Sequence, residues 1–518
     1  MNTVADQIPL PGPPARTGVA IIGAGPAGLT AAVTAADAGC AVCVLDLGER
    51  PGGQFWRWGP ATGDGRFHHG WPAFTALRDR FAAHVAGGRI DYRPGHAVFH
   101  VGTPCDGAVF RVHAVADDRR REHVAVEATA VVIATGAYDR QLPVPGWTLP
   151  GVMSAGAAQS LLKGSAVVAG RRVVVAGSGP FLLPVAAGLA QAGARVMAVV
   201  EAGQPLDYLR HPAGVAATWR KLPEAAGYLA RLARHRVPLL CRHAVVAAHG
   251  DERLHSVTVA RVGPAWERVP GSERTLEADV LAAGYGFVPQ VELLAQAGAG
   301  LRAAAGEGAF AAVAGPDQQT TVPGLFAAGE TTGVGGADLA RIEGVIAGRA
   351  AASAVGRAAG SAAGRAAGSA ANSAAGPLRH DRRAERQRAV LRRFATVMDR
   401  VHAVQPGWTG WPDDDTVVCR CEEVTVGRLR AAIDLGADDV RSVKLLARPG
   451  MGWCQGRICG QAVAALSARY SGYRDHERSA EHDDATHDAE RAVSRPLAQP
   501  VPLRVLAELA GDDAVPPG

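Results

Sequence analysis

The sequence predicts an α/β protein: two nested Rossmann-like dinucleotide-binding domains, followed by a small, mainly helical domain that carries cysteines. Three observations predict it. A strand, Gly-rich loop, helix and strand begin at Val19; the same pattern begins again near Arg171, before the first unit is finished; and four of the eight cysteines fall between residues 419 and 459. At 518 residues the chain also exceeds what one hydrophobic core serves, so several units are expected.

The first fingerprint is VAIIGAGPAGLTAAVTAADAGCAVCVLD. Val19 to Ile22 read as a buried parallel strand, and an Ala-rich helix and a second strand, Val42 to Leu45, follow the loop. Gly23 allows the tight turn, Gly25 lets the backbone approach a pyrophosphate at the helix N-terminus beside Pro26 and Ala27, and Gly28 permits close helix-to-strand packing. Asp46, eighteen residues past Gly28, is placed to accept hydrogen bonds from ribose hydroxyls. Cys40 and Cys43 have redox-motif spacing but open no helix, so they are expected to pack, as are the isolated Cys105 and Cys241.

The second fingerprint, RRVVVAGSGPFLLPVAAGLAQAGARVMAVVE, keeps Gly177 and Gly179 and closes its next strand with Glu201, but Leu182 and Pro184 occupy the region of the third glycine. A carboxylate at Glu201 favours NAD over NADP. NAD(H) is therefore one reading, and a domain that kept the fold and lost the ligand is the other.

The cysteine quartet is Cys419 and Cys421 in VVCRCEE, then Cys454 and Cys459 in GMGWCQGRICG, with Gly450, Gly452, Gly456 and Gly460 around the second pair. Four thiolates in a Gly-rich loop suit a 2Fe-2S cluster, because backbone N–H groups must reach its sulfurs. A four-thiolate zinc site and two disulfides are the alternatives. The C-x-C pair is tighter than structural zinc usually takes, and a long chain without a secretory pattern does not point to disulfides.

Residues 351–376 repeat GRAAGSAA and present no apolar face large enough to bury, so a flexible or frayed-helical spacer is expected. After it, Val390, Leu391, Phe394, Val397, Met398 and Val401 line one face of a helix expected to pack on the preceding domains or a partner. Thr425 is placed to cap a helix ending near Gly436, Asp438 and Asp439 open the next turn, and Gly460 begins the last helix. The acidic, His-bearing stretch after Tyr473 reads as a disordered connector, with a His-rich metal site as the alternative, and SRPLAQPVPLRVLAEL is expected to pack in extended form.

The net charge of +5 is small and spread out, which does not point to nucleic acid. No apolar run is long enough to span a bilayer and no signal pattern opens the chain, so a cytoplasmic protein is expected. No C-x2-C stands beside the second fingerprint to serve a disulfide reductase, and no His, Ser or carboxylate constellation names a catalytic side chain; His68 and His69 are expected to be surface or packing residues.

These motifs resemble the flavoproteins of the glutathione and thioredoxin reductase type. VVIATGAYDRQLPVPG, with Thr135 and Gly136, is similar to the strand leaving the FAD domain, and DVLAAGYGFVPQVEL to the return crossing. TTVPGLFAAGETTGVGG, with Gly329 and Glu330, is similar to the closing FAD segment. Glu330 takes the acidic position that holds the ribityl chain, where the wider family usually has Asp. LGERPGGQFWR, with Gly53 and Gln54, resembles the loop lying against the flavin.

With CRCEEVT and VKLLARPGMGWCQGRICGQAVA, which resemble the bacterioferritin-associated-ferredoxin-like domain, the chain is similar to the larger FAD-containing subunit of heteromeric amino-acid and opine dehydrogenases. That is the family of hydrogen cyanide synthase, the octopine and nopaline oxidases and the multi-subunit proline and hydroxyproline dehydrogenases. The resemblance implies FAD, a 2Fe-2S cluster, a smaller amine-oxidase-like flavoprotein partner, room for a small ferredoxin-like subunit, and oxidation of a small amino acid or opine. The other readings are a stand-alone NAD(P)H-dependent reductase and a non-catalytic electron-transfer or scaffold subunit. The expected layout is a leader (1–17), an FAD-binding domain (18–150 and 287–350), an NAD-binding-like domain (151–286), the spacer (351–376), the connecting helix (377–410), the 2Fe-2S domain (411–473) and a tail (474–518).

Overall fold

A computed structural model of the chain describes residues 15–103, 109–116, 122–210, 222–304, 309–367, 382–471 and 497–512. The leader apart from its last residues, Cys105, and the acidic, His-bearing stretch lie outside these residues.

The first sheet contains β1 (Ala15–Ile22), β2 (Val42–Asp46), β3 (Ile90–Pro94), β4 (His96–Gly102), β5 (Phe110–Ala116) and β6 (His123–Ile133), ordered β3-β2-β1-β6-β5-β4. β1 lies parallel between β2 and β6, with Ile21 opposite both Val44 and Val132. Both of its faces are covered, which is why Val19 to Ile22 read as a continuous apolar run. Helix α1 (Pro26–Asp37) follows the glycine loop and α2 (Trp71–Ala86) lies beside it. Cys43 is buried and its thiol is pushed up to about 12 by burial, so it packs, as expected.

After β7 (Ala137–Asp139) the chain enters a second sheet through β8 (Val152–Ser154), helix α3 (Ala155–Ser165), β9 (Arg172–Gly177), helix α4 (Leu182–Gln191), β10 (Arg195–Glu201), helix α5 (Leu222–Arg234) and β11 (Leu239–Cys241). An antiparallel ribbon of β12 (His243–His249), β13 (Ser256–Arg261) and β14 (Arg274–Glu277) comes next, and β15 (Val280–Gly284) closes the parallel order β11-β10-β9-β15-β8. The return strand β16 (Phe287–Pro289) pairs antiparallel with β7, so the two crossings form one short ribbon. Helix α6 (Glu292–Gln296), the pair β17 (Leu301–Ala303) and β18 (Phe310–Ala312), and β19 (Leu325–Ala327) follow; β19 adds to the first sheet on β6. The predicted fold class holds.

The expected spacer is helical as far as residue 367, and only its start departs from the expectation, since Ala351 and Ala352 are buried. Helix α7 (Ala337–Ala367) continues past residue 350, and Ala347 and Ala351 are buried against α1 with Ala354 and Val355 packed nearby. The reason is the small side chains themselves. A Cβ on Gly344 would lie 2.3 Å from the Ala27 carbonyl oxygen and one on Gly348 2.5 Å from that of Ala31, so the two helix backbones approach closely just before the repeat, whereas in the repeat itself Gly356 and Gly360 meet nothing within 4 Å and residues 356–360 are exposed. Residues 368–381, which include the end of the expected spacer, lie outside the described residues.

Helix α8 (Arg382–Val401) packs on α7, burying Ala384, Ala395 and Val397, while Val390 of the expected stripe is exposed. The cysteine unit comprises β20 (Val417–Cys419), β21 (Val424–Thr425), helix α9 (Val426–Asp434), helix α10 (Val440–Ala447) and helix α11 (Gly460–Tyr470). Its caps are those expected: Thr425 accepts from the Arg428 N–H, Gly436 adopts φ +103, and Asp439 forms a capping box with Ser442.

This unit is docked on the second sheet's domain. Trp411 stacks on Trp266 at 6.0 Å and donates its Nε1–H to the Trp266 carbonyl at 2.9 Å, and Trp147 donates to the Val417 carbonyl at 2.5 Å. In the tail, residues 497–502 are non-helical as expected, but α12 (Leu503–Asp512) is a helix. Leu497, Val501 and Val505 pack on Phe99 and Val115.

Candidate functional site

One cavity of about 2180 Å3 runs between the two nucleotide units and the cysteine unit. A single small-ligand pocket holds roughly 300–1,000 Å3, so this one has room for more than one group. Its walls include Gly23, Gly25, Pro26, Ala27, Asp46, Gly53, Gln54, Thr135, Gly136, Gly329, Glu330, Gly179 and Glu201, together with Cys419, Cys421, Cys454 and Cys459. Two of the sequence candidates, Gly28 and Gly177, are not wall residues. A Cβ on Gly28 would lie 1.8 Å from the Gly23 carbonyl oxygen, and one on Gly177 1.7 Å from that of Gly284, so both serve packing.

The first unit fits a dinucleotide. Gly25 caps α1 without a side chain and Pro26 fills its first turn, so the helix N-terminus is open where Gly25 to Ala27 line the cavity. Gly53, at φ +57, lies so close that a Cβ there would be 2.7 Å from Gly25 Cα. Asp46 Oδ1 accepts from the Ala24 N–H at 3.1 Å, while Oδ2 is buried without a protein partner. Burial pushes this carboxyl up to about 6. An unsatisfied buried acceptor on the cavity wall is what a ribose hydroxyl would satisfy.

The other end repeats this logic. Glu330 Oε1 accepts from the Gly336 N–H at 2.9 Å, Oε2 is buried without a partner, and burial pushes the carboxyl up to about 7. The turn carrying it is held from behind by Glu343 of α7, fully buried, which accepts from the Gly329 N–H at 3.0 Å, the Thr332 hydroxyl at 2.8 Å and the Arg392 guanidinium at 2.6 Å. Sequence reasoning missed Glu343 and Arg392. The available signal was that Glu343 is the only acid between Asp338 and Asp381, set in an Ala-Gly helix. At the domain crossing, the Thr135 hydroxyl donates to the Gln290 carbonyl at 3.1 Å and the Gln290 N–H to the Gly136 carbonyl at 3.0 Å.

The second unit presents a different surface. Glu201 Oε2 accepts from the Gly179 N–H at 2.9 Å and Oε1 from the Gly203 N–H at 2.8 Å, so both oxygens are engaged by backbone. His402, just past α8, covers this region: its Nδ1 lies 3.4 Å from the Ser178 hydroxyl and 3.8 Å from Glu201, and its Nε2 3.1 Å from the Tyr208 hydroxyl. His68 and His69 are packing and pairing residues, with His68 Nε2 2.6 Å from the Arg57 carbonyl and His69 3.6 Å from Glu224.

The four cysteines converge. Cys459 contacts Cys419 and Cys454, and Cys454 contacts Cys421. The Cys459 thiol holds Cys454 down at about 4 and Cys419 at about 6, with the Gly450 N–H adding a bond to Cys419 Sγ at 3.4 Å. Among the described residues, no three His, Cys, Asp or Glu side chains close around a single ion's position. A chain of four sulfurs fits a cluster spanning two irons. Gly452 is required for this approach, since a Cβ there would lie 2.3 Å from Cys421 Cβ. Arg420, between Cys419 and Cys421 in the sequence, lies over the Trp147 ring at 4.7 Å.

Comparison with known proteins agrees with this construction. Residues 17–352 match the pyridine nucleotide-disulphide oxidoreductases, and residues 417–469 the BFD-like [2Fe-2S] binding domain. An opine oxidase subunit of Agrobacterium tumefaciens (strain Ach5) is 33% identical over 459 residues, 86% of this chain and 84% of that protein. The corresponding opine oxidase subunit of Rhizobium meliloti (strain 1021) is 30% identical over 499 residues, 94% and 98% of the two chains. Hydrogen cyanide synthase subunit HcnB of Pseudomonas aeruginosa is 32% identical over 441 residues, 85% and 90%. The crystal structure of L-proline dehydrogenase from P. horikoshii shares the fold, with a TM-score of 0.60, 18% identity and coverage of 96% of this chain and 81% of that one. No helix among the described residues is long and apolar enough to cross a membrane. The chain therefore belongs to the pyridine nucleotide-disulphide oxidoreductase family, as an FAD-dependent oxidoreductase that also carries a BFD-like [2Fe-2S] domain.

Proposed function

We propose that the chain is the larger subunit of a heteromeric dehydrogenase or oxidase acting on a small amino acid or an opine, and that it carries electrons between flavin and a 2Fe-2S cluster. The observation that carries this reading is the shared cavity: the dinucleotide cradle around Gly25 and Glu330 and the four cysteines are walls of one space. The naming of its relatives as subunits of an opine oxidase and a hydrogen cyanide synthase supports the substrate class.

Gly23, Gly25, Pro26, Ala27, Asp46, Gly53, Gln54, Thr135, Gly136, Gly329 and Glu330 would hold FAD, with Gly28 packing behind them, and Cys419, Cys421, Cys454 and Cys459 would hold the cluster. When bound, this pair supplies the conversion between two-electron and one-electron transfer. The chain's residues orient and exclude. Asp46 and Glu330 each offer one buried oxygen to hydroxyl donors, and Arg392 and Glu343 keep the Glu330 turn in place. Oxidation of the substrate's C–N bond falls to a smaller amine-oxidase-like flavoprotein partner, with a small ferredoxin-like subunit completing the assembly. We place the complex in the cytoplasm, whose reducing conditions keep thiolate ligands available.

The test is anaerobic purification of the chain with its partner subunits, followed by dye reduction with proline, hydroxyproline, glycine, sarcosine and opines. One of these substrates is expected to bleach both the flavin and the cluster absorbance. A complex loaded with flavin, iron and sulfide that is reduced by none of them would overturn the proposal.

A further inference from the structure

The two fingerprints of this chain share a fold and differ in what they leave open. In the first, Asp46 gives one oxygen to its own loop and keeps the other buried and unpartnered on the cavity wall. In the second, each oxygen of Glu201 already accepts from one of the chain's own amides, Gly179 and Gly203, so neither is left unpartnered as one oxygen of Asp46 is. The glycine at which a pyrophosphate would approach stays on the cavity wall but has the His402 side chain beside it. A Cβ built on Gly179 meets only His402, at 3.9 Å, while nothing but Gly53 lies within 4 Å of one built on Gly25. At the third glycine position Leu182 is buried in the core instead.

We propose that the second dinucleotide unit takes no NAD(H) or NADP(H), because the imidazole of His402 fills the ligand position over Gly179 and Glu201 is engaged by backbone. His402 is held there from several sides: Nε2 by the Tyr208 hydroxyl at 3.1 Å, Nδ1 beside the Ser178 hydroxyl at 3.4 Å, and its own N–H by the Met398 carbonyl at 2.9 Å. The last contact keeps it on the final turn of α8, whose middle is anchored by Arg392 on Glu343. Removing His402 from the site therefore requires moving a helix fixed elsewhere. The unit serves as a rigid seat for the connecting helix and the cysteine domain, and reducing equivalents enter the flavin from another donor.

Two measurements on the flavin-loaded complex test this. Under anaerobic conditions, excess NADH or NADPH is expected to cause no bleaching of the flavin and no change in hydrogen exchange across residues 177–184 and 199–204. Saturable bleaching, or protection of these amides by either nucleotide, would overturn the proposal. In His402→Ala, exchange in residues 178–182 is expected to rise severalfold; unchanged exchange would show that the imidazole covers nothing, and the proposal would fail. Should that variant not fold, Tyr208→Phe loosens His402 by one hydrogen bond and is expected to raise exchange in the same residues, with no rise counting against the plug. The nucleotide is a different electron donor from the amino acids and opines of the earlier screen, so each result stands whichever way the other falls.

Discussion

Arg392→Ala is the most informative single substitution in the cavity wall around Glu330. Glu343 is fully buried, and Arg392 is its one charged hydrogen-bonding partner; the others are the Gly329 N–H and the Thr332 hydroxyl. Breaking a buried pair by removing one member costs about 3–5 kcal/mol, because the remaining charge is stranded. Arg392 is about a quarter exposed (27%) and Glu343 keeps two neutral donors, so the low end applies. A cost of about 3 kcal/mol multiplies the open population of the turn roughly 150-fold. The Gly329 amide, which donates to Glu343, reads this directly by hydrogen exchange, and FAD content should fall with it. The double variant Arg392→Met with Glu343→Gln removes both charges and should recover most of the loss. Exchange at Gly329 that rises less than about fivefold in Arg392→Ala would refute the reasoning, since the pair would then contribute about 1 kcal/mol or less.

Four further outcomes are expected. Gly53→Ala must place a Cβ 2.7 Å from Gly25 Cα at φ +57, so the purified protein should lose bound FAD while keeping its iron. Cys454→Ser should abolish acid-labile sulfide and the cluster absorbance while leaving the flavin spectrum, which metal analysis checks. Asp46 has a folded value of about 6 against 3.8 unfolded, so its contribution to the stability of FAD-free protein is complete below about 3.8 and is lost as pH rises through about 6. A denaturation series on apoprotein should show that component and Asp46→Asn should lack it. Trp411→Ala removes a buried indole stacked on Trp266, a change that costs about 3–5 kcal/mol in a core. Limited proteolysis should then cut near the start of the cysteine unit.

Legibility in the sequence followed the range of the interaction. Gly23 and Asp46 were named from a local strand, loop and helix pattern, Gly53 and Glu330 only from resemblance to a family, and the caps at Thr425 and Asp439 are local as well. Glu343 with Arg392 and Glu201 with His402 were not found as pairs, since 49 residues separate the first and the second joins two different units. The start of the spacer was misread for another reason. Ala351 and Ala352 continue the small-residue face on which Gly344 and Gly348 let α7 lie against α1, whereas residues 356–360 of the repeat are exposed. Small residues carry little hydrophobic signal per side chain and a large one in backbone proximity, which only the partner helix reveals.

Helix α8 turns these separate features into one machine. Arg392 and His402 are ten residues apart, which on an α-helix is about 15 Å, and they fix the Glu330 turn of the first unit and the Gly179 loop of the second. Rotation of one nucleotide unit against the other would have to break both anchors together, in addition to the β7–β16 ribbon. The cysteine unit follows directly after this helix and is stacked on the second unit through Trp266 and Trp411. The distance between the Glu330 turn and the four sulfurs is therefore held by the helix, by the tryptophan contact and by the Arg457–Glu292 pair. Loss of Trp411 alone should loosen the seat of the cysteine unit on the second unit and leave the two nucleotide units locked, whereas loss of Arg392 should loosen the Glu330 turn and leave the sulfur loop intact. Hydrogen exchange that spread from either substitution into both regions would show that the two constraints are one.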